Sequence, residues 1–192
     1  MSEDEFAWLL VEAVAPSLKP HKVKEKRSLL YDLSFDHLGK VSKGLDPDGA
    51  PIRGQGRGFE QDILVYDEVT GGDTSVVPRI VAEVKFGGVT THDVLIYAEK
   101  ADRIRRLYPY VRYGFVLGGL NQIPRRVVRL GQRFDFIVAL SSGLNATELA
   151  HFCELMKREA AASAALVDVL FGQRKPTRIE KQLRVEYDEP AS

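Results

Sequence analysis

At 192 residues, with 44% hydrophobic and 28% charged side chains, the chain has the composition of one globular domain. Its 27 basic and 27 acidic residues cancel, which excludes a uniformly basic nucleic-acid binder and leaves any polyanion contact to local patches. One cysteine, Cys153, rules out an internal disulfide and a cysteine-built zinc site and reads as a buried helical thiol; no apolar run reaches the roughly 18 residues of a membrane span, and the acidic start Met1 to Glu5 is unlike a signal peptide, so a cytoplasmic protein without membrane association is expected.

In chain order, Phe6, Leu9, Leu10, Ala13 and Val14 recur at helical spacing and predict a helix over Glu3 to Leu18, ended by Pro16 and Pro20. Glu12 lies beside that stripe, either as a solvated neighbour or as a third acidic ligand. His21 to Lys40, basic at its start and apolar at Leu29, Leu30, Leu33 and Leu38, reads as a second amphipathic helix, so that residues 1–43 form an N-terminal helical part. Seven Gly and Pro residues then mark Gly44 to Gly58 as a long flexible loop, in which Arg53 and Arg57 are either solvated charges or phosphate contacts. The loop lacks the Gly-Lys-Ser/Thr ending of a phosphate-binding loop, which argues against nucleotide hydrolysis and a nucleotide cofactor. The literal Pro47-Asp48 pair is followed by Gly49-Ala50-Pro51 and reads as a turn.

Residues 59–171 read as the core. Two apolar segments, Gln61 to Val69 and Pro78 to Phe86, flank Gly71-Gly72-Asp73-Thr74 and predict an antiparallel hairpin. A register centred between Gly72 and Asp73 sets Asp62 opposite Glu83, with Cβ atoms about 5 Å apart. Lys85 shares the face of Glu83 because side chains alternate along a strand, so two carboxylates and an ammonium gather at one spot. Glu60 shares the face of Asp62, as a further acid or as an exposed partner of Arg57.

Thr90 to Asp93 supplies capping residues for a helix from Asp93 to Leu107, whose stripe includes Val94, Tyr97, Ala101 and Ile104. Lys100, Arg103, Arg105 and Arg106 form its basic face, a phosphate-binding rim or simply a solvated surface. Arg112 to Gly118 and Phe134 to Leu140 read as strands separated by a basic link, and Asn145-Ala146-Thr147-Glu148 is a capping box opening a helix to about Phe171. Residues 172–192 are a charged tail in which Gln182 to Tyr187 alternates like an edge strand. The order predicts a single α/β domain over 1–192, with an antiparallel hairpin followed by a parallel crossover.

Asp62 before an apolar run, Glu83-Val84-Lys85 after 20 intervening residues, and the helix and strand that follow resemble the PD-(D/E)xK nuclease superfamily. Gln61 stands where the motif's name has proline. The resemblance covers about residues 60 to 140 and implies a restriction-endonuclease-like fold, a mixed sheet core flanked by helices. It further implies a metal-dependent endodeoxyribonuclease of restriction, defence or repair type, with Mg²⁺, or Mn²⁺ in its place, held by Asp62, Glu83 and the Val84 carbonyl. Lys85 would act on the attacking water. From the helix after the Glu-x-Lys strand, Lys100 with Arg103 and Arg106 is expected to contact DNA, with His92 and Tyr97 as second-rank site residues. Cutting both strands with one site per chain calls for a homodimer. The competing reading is a non-catalytic nuclease-fold module that binds nucleic acid or a partner protein.

Overall fold

The computed structural model describes residues 1–32, 34–35, 41–42, 57–68, 76–173, 175–180 and 183–186. Five strands form one mixed sheet in the order β1-β4-β5-β6-β7: β1 (Lys22–Asp32), β4 (Arg57–Glu68), β5 (Val76–Phe86), β6 (Arg112–Gly118) and β7 (Phe136–Leu140). Two-residue strands β2 (Ser34–Phe35) and β3 (Val41–Ser42) pair separately. β4 runs antiparallel to both of its neighbours, β1 and β5, while β5, β6 and β7 are parallel to one another. The parallel step from β5 to β6 is made by helix α2 (Thr91–Leu107), as parallel neighbours require a crossover. The coarse α/β architecture is therefore the expected one.

The sheet is covered on both faces. On one, Ile63, Val65, Ile80, Ala82, Val84 and Val116 pack against Phe6, Leu10 and Val14 of α1 (Glu3–Val14) and Phe152, Met156 and Ala160 of α4 (Ala146–Phe171). On the other, Leu64, Val81 and Tyr113 meet Ala101 and Ile104 of α2, and Phe115 and Leu117 meet Val94 of α2 and Val127 of α3 (Arg125–Leu130). A fully buried Leu, Ile or Phe contributes about 1.5–3 kcal/mol, so these two layers hold the strands in register. Burial on both faces also explains why β5 and β6 read as nearly unbroken apolar runs.

The helix expected over His21 to Lys40 is instead strand β1, paired with β4 from Lys22 opposite Tyr66 to Asp32 opposite Arg57. Lys22, Lys24 and Lys26 are exposed while Val23, Glu25 and Arg27 are half-buried. That period-two signal was masked by the helix-like spacing of Leu29, Leu30 and Leu33. The charges suit a sheet edge, where they oppose pairing with another chain. The basic link before β7 contains α3, a short helix that sequence analysis did not assign. Strand β4 begins at Arg57, inside the span read as loop; the rest of that loop, with Arg53 and Pro47-Asp48, lies outside the described residues, as does the Gly71 to Thr74 turn. In the tail, residues 183–186 form no strand, and Gln182 and Tyr187 lie outside the described residues. Three helices start as written in the sequence: Ser2, Thr90 and Asn145 each cap one with a reciprocal bond from Glu5, Asp93 and Glu148.

Candidate functional site

The hairpin register is the one the turn implied, since Ile63 pairs with Ala82, Leu64 with Val81 and Val65 with Ile80. A register shift falls between Val65 and Tyr66, on the turn side, and leaves the other end of the ladder undisturbed. The ladder stops at Ile63–Ala82, one step short of Asp62 and Glu83, so these two are not a ladder pair as expected. Instead the Val84 amide donates to Asp62 Oδ2 at 2.7 Å. A strand residue points its N–H and C=O to the same edge, so the Val84 carbonyl also faces the opening left by β4.

Glu83 is 1% exposed, inside the layer between β5 and α2. Its Oε1 accepts from the Tyr113 hydroxyl at 2.6 Å and lies 3.4 Å from Lys100 Nζ. Its Oε2 is buried and has no hydrogen-bond partner among the described residues. Burial pushes the Glu83 carboxyl up to about 8; Lys100 opposes the shift, the charge of Asp62 adds to it, and the Tyr113 bond opposes it. The Tyr113 phenol is driven well above its ordinary range by burial and by Glu83. Such a pair of carboxylates in a dry setting favours the arrival of positive charge.

Lys85 is less enclosed, and its Nζ lies 3.2 Å from both Oε1 and Oε2 of Glu3. Glu3 Oε2 also accepts from the Phe86 amide at 3.4 Å, which ties the start of α1 to the end of β5. Between the two lysines stands the Tyr97 ring, with its centroid 5.8 Å from Lys85 Nζ and 5.0 Å from Lys100 Nζ. Burial, then the charges of Glu83, Asp62, Glu3 and Asp93, raise the Tyr97 hydroxyl far above its usual range, so it stays a neutral donor.

Of the residues named from sequence, Asp62, Glu83, Val84, Lys85, Tyr97 and Lys100 thus come together. Glu12 is exposed and nine residues beyond Glu3, about 13 Å along the helix; the acid of α1 that reaches the cluster is Glu3. Glu60 is exposed opposite Ser28. His92 is exposed in the first turn of α2. Arg103 bonds Glu99 at 2.9 Å and stands 5.6 Å from the Tyr31 ring, while Arg106 is exposed. Arg53 lies outside the described residues, and of Arg57 only the backbone is described.

No family model matches the chain, and no curated protein matches it.

Glu3 and Tyr113 are the contributors that sequence analysis missed. Glu3 was hidden in an acidic first turn, which is ordinary at a helix start, and Tyr113 in an apolar strand. Among the described residues no group of three or more His, Cys, Asp or Glu is placed to hold a metal ion. Two carboxylates, one of them with a buried oxygen that has no hydrogen-bond partner among the described residues, and a backbone carbonyl nevertheless fit Mg²⁺, which keeps several of its waters and takes few protein ligands. Among the described residues no helix is long and apolar enough to cross a membrane.

Proposed function

We propose that the chain is a divalent-metal-dependent endonuclease with a restriction-endonuclease-like core, hydrolysing phosphodiester bonds in DNA. One observation carries the reading: the paired strands part at Asp62, where the Val84 amide bonds the Asp62 carboxylate, and the buried Glu83 carboxylate, with its unpartnered Oε2, sits close enough to feel the Asp62 charge. A structural ion pair alone has no need for two carboxylates packed close in a dry site, which costs stability.

In this reading Asp62, Glu83 and the Val84 carbonyl hold Mg²⁺ or Mn²⁺. The bound cation supplies charge neutralisation at the phosphate and a more acidic water. Tyr113 fixes the Glu83 carboxylate through its hydroxyl, and α2 keeps bulk water off its buried side. Lys85, aimed by Glu3, orients the attacking water and stabilises charge developing on the phosphoryl oxygens. Basic residues of α2 and of 125–133 supply a rim that offsets the repulsion between the acidic centre and a polyanion. Incubation of supercoiled plasmid with Mg²⁺, with and without chelator, tests the reading; loss of cleavage with chelator and in Asp62→Ala supports it, and chelator-insensitive or absent cleavage overturns it.

A second reading, a nuclease-fold module that binds without cutting, is favoured by one feature. Each lysine of the centre already has an acidic partner, Lys85 with Glu3 and Lys100 with Glu83. Mg²⁺-independent DNA binding without cleavage would select it.

A further inference from the structure

Lys100 occupies an unusual place for a phosphate-binding lysine. The sequence places it on the basic face of α2, as a phosphate contact or a solvated charge, yet its side chain is 20% exposed and its ammonium lies against a buried carboxylate. Among the described residues its ammonium has one carboxylate oxygen as partner, Glu83 Oε1, at 3.4 Å, beyond the roughly 2.7–2.9 Å of a tight charge-assisted bond. Two rings flank the ammonium: Tyr97, with its centroid 5.0 Å from Nζ, and Phe59, at 5.5 Å. Phe59 in turn stacks on Tyr31 with centroids 3.8 Å apart, and Arg103, one turn along α2, stands over Tyr31. The rings therefore place aromatic faces, which favour a cation, in series between the Lys100 ammonium and Arg103 of α2. Lys85 differs, being tied to both oxygens of Glu3.

On the proposed nuclease reading, we infer that Lys100 is the resident partner of Glu83, and that a divalent cation held by Asp62 and Glu83 displaces the ammonium past the Tyr97 and Phe59 rings to a substrate phosphate. The charges give the reason. Asp62 and Glu83 together carry at most two negative charges, and one lysine leaves the site able to accept more positive charge. A dication satisfies both carboxylates, after which the ammonium at the same oxygen is repelled. Its flexible four-carbon stem allows it to swing without moving α2. Metal binding then adds one phosphate contact, and binding of metal and of DNA reinforce each other.

Wild type and Lys100→Met are compared for binding of a short labelled duplex across a salt series, in EDTA and in Ca²⁺, with the duplex checked intact on gels. In EDTA the two proteins should show the same salt slope, because Lys100 is engaged with Glu83. In Ca²⁺ the wild-type slope should be steeper than that of Lys100→Met by about 0.9, one phosphate contact on duplex DNA. A slope difference already present in EDTA, or identical slopes in Ca²⁺, overturns the inference. A second measurement uses the wild type alone: acetylation of Lys100, followed by mass spectrometry, should rise when Ca²⁺ is added without DNA. Unchanged labelling of a protein that gives calorimetric heat with Ca²⁺ overturns this inference and leaves the nuclease reading standing. A wild type that gives no heat with Ca²⁺ or Mg²⁺ and no cleavage overturns both.

Discussion

Glu3 and Lys85, 82 residues apart in sequence, form an ion pair in which both carboxylate oxygens lie 3.2 Å from the ammonium. The pair pins the first turn of α1 to the last residues of β5. Both side chains are partly exposed, so the pair itself stabilises the fold by about 0–1 kcal/mol. Glu3→Gln should therefore shift the midpoint of thermal unfolding by only a few degrees. Cleavage should fall by more than that stability change explains, because Lys85 loses its alignment. Unchanged kcat in Glu3→Gln would remove Glu3 from any positioning role.

Asp62→Ala, Glu83→Gln and Lys85→Ala are each expected to leave a folded protein that no longer cuts DNA. Loss of a charged group that acts in the transition state corresponds to roughly 10²–10⁴ in rate. Circular dichroism checks the fold, and plasmid nicking with Mg²⁺ checks the rate. Full activity in Asp62→Ala would end the metal-site assignment.

Glu83 gives the metal-free protein a definite pH dependence. Its carboxyl in the folded state is raised from 4.5 to about 8, chiefly by burial, so between these values the folded chain binds more protons than the unfolded one. The contribution of Glu83 to stability is therefore lost as pH rises through that window. Denaturant midpoints measured in EDTA from pH 5 to 8 should show this decline, relative to Glu83→Gln, which lacks the titrating group. Added Mg²⁺ should reverse it, because a cation favours the ionised carboxylate. Parallel curves for the two proteins in EDTA would contradict the burial argument.

Tyr113→Phe removes the hydroxyl that bonds Glu83 Oε1 at 2.6 Å and keeps the ring that packs against α2. Metal affinity by calorimetry should weaken by about tenfold, in the range seen when a partner of a metal ligand is removed. The far-ultraviolet spectrum should not change. Unaltered metal affinity would show that Glu83 is held by its other contacts.

Gly114 sits in the middle of β6, paired with Ala82 and Phe136, where an added Cβ would overlap the Cζ end of the Phe136 ring. Gly114→Ala should cost about 1–3 kcal/mol, read by denaturant unfolding. The double variant with Phe136→Leu should recover part of the loss; a neutral single variant would mean that β7 moves aside freely.

Much of the scaffold is determined by the sequence alone, because the signals are local. Ser2, Thr90 and Asn145 cap helices through residues three positions on, and the β4–β5 register follows from a turn and two apolar segments. That Asp62, Glu83 and Lys85 share one hairpin was legible for the same reason, while the partner of Lys85, Glu3, was not. Tertiary structure decided what local pattern cannot express. Residues 22–32 became an edge strand because β4 offered a ladder for the backbone groups on one side of it, which outweighed helix-like leucine spacing. Glu3 and Tyr113 joined the site, and Lys100 turned inward, because packing of α1, β6 and α2 around β5 brings together residues from distant parts of the chain. Their charges and hydroxyls carry no mark in the sequence of the burial that changes their chemistry; that burial exists only once both faces of the sheet are covered.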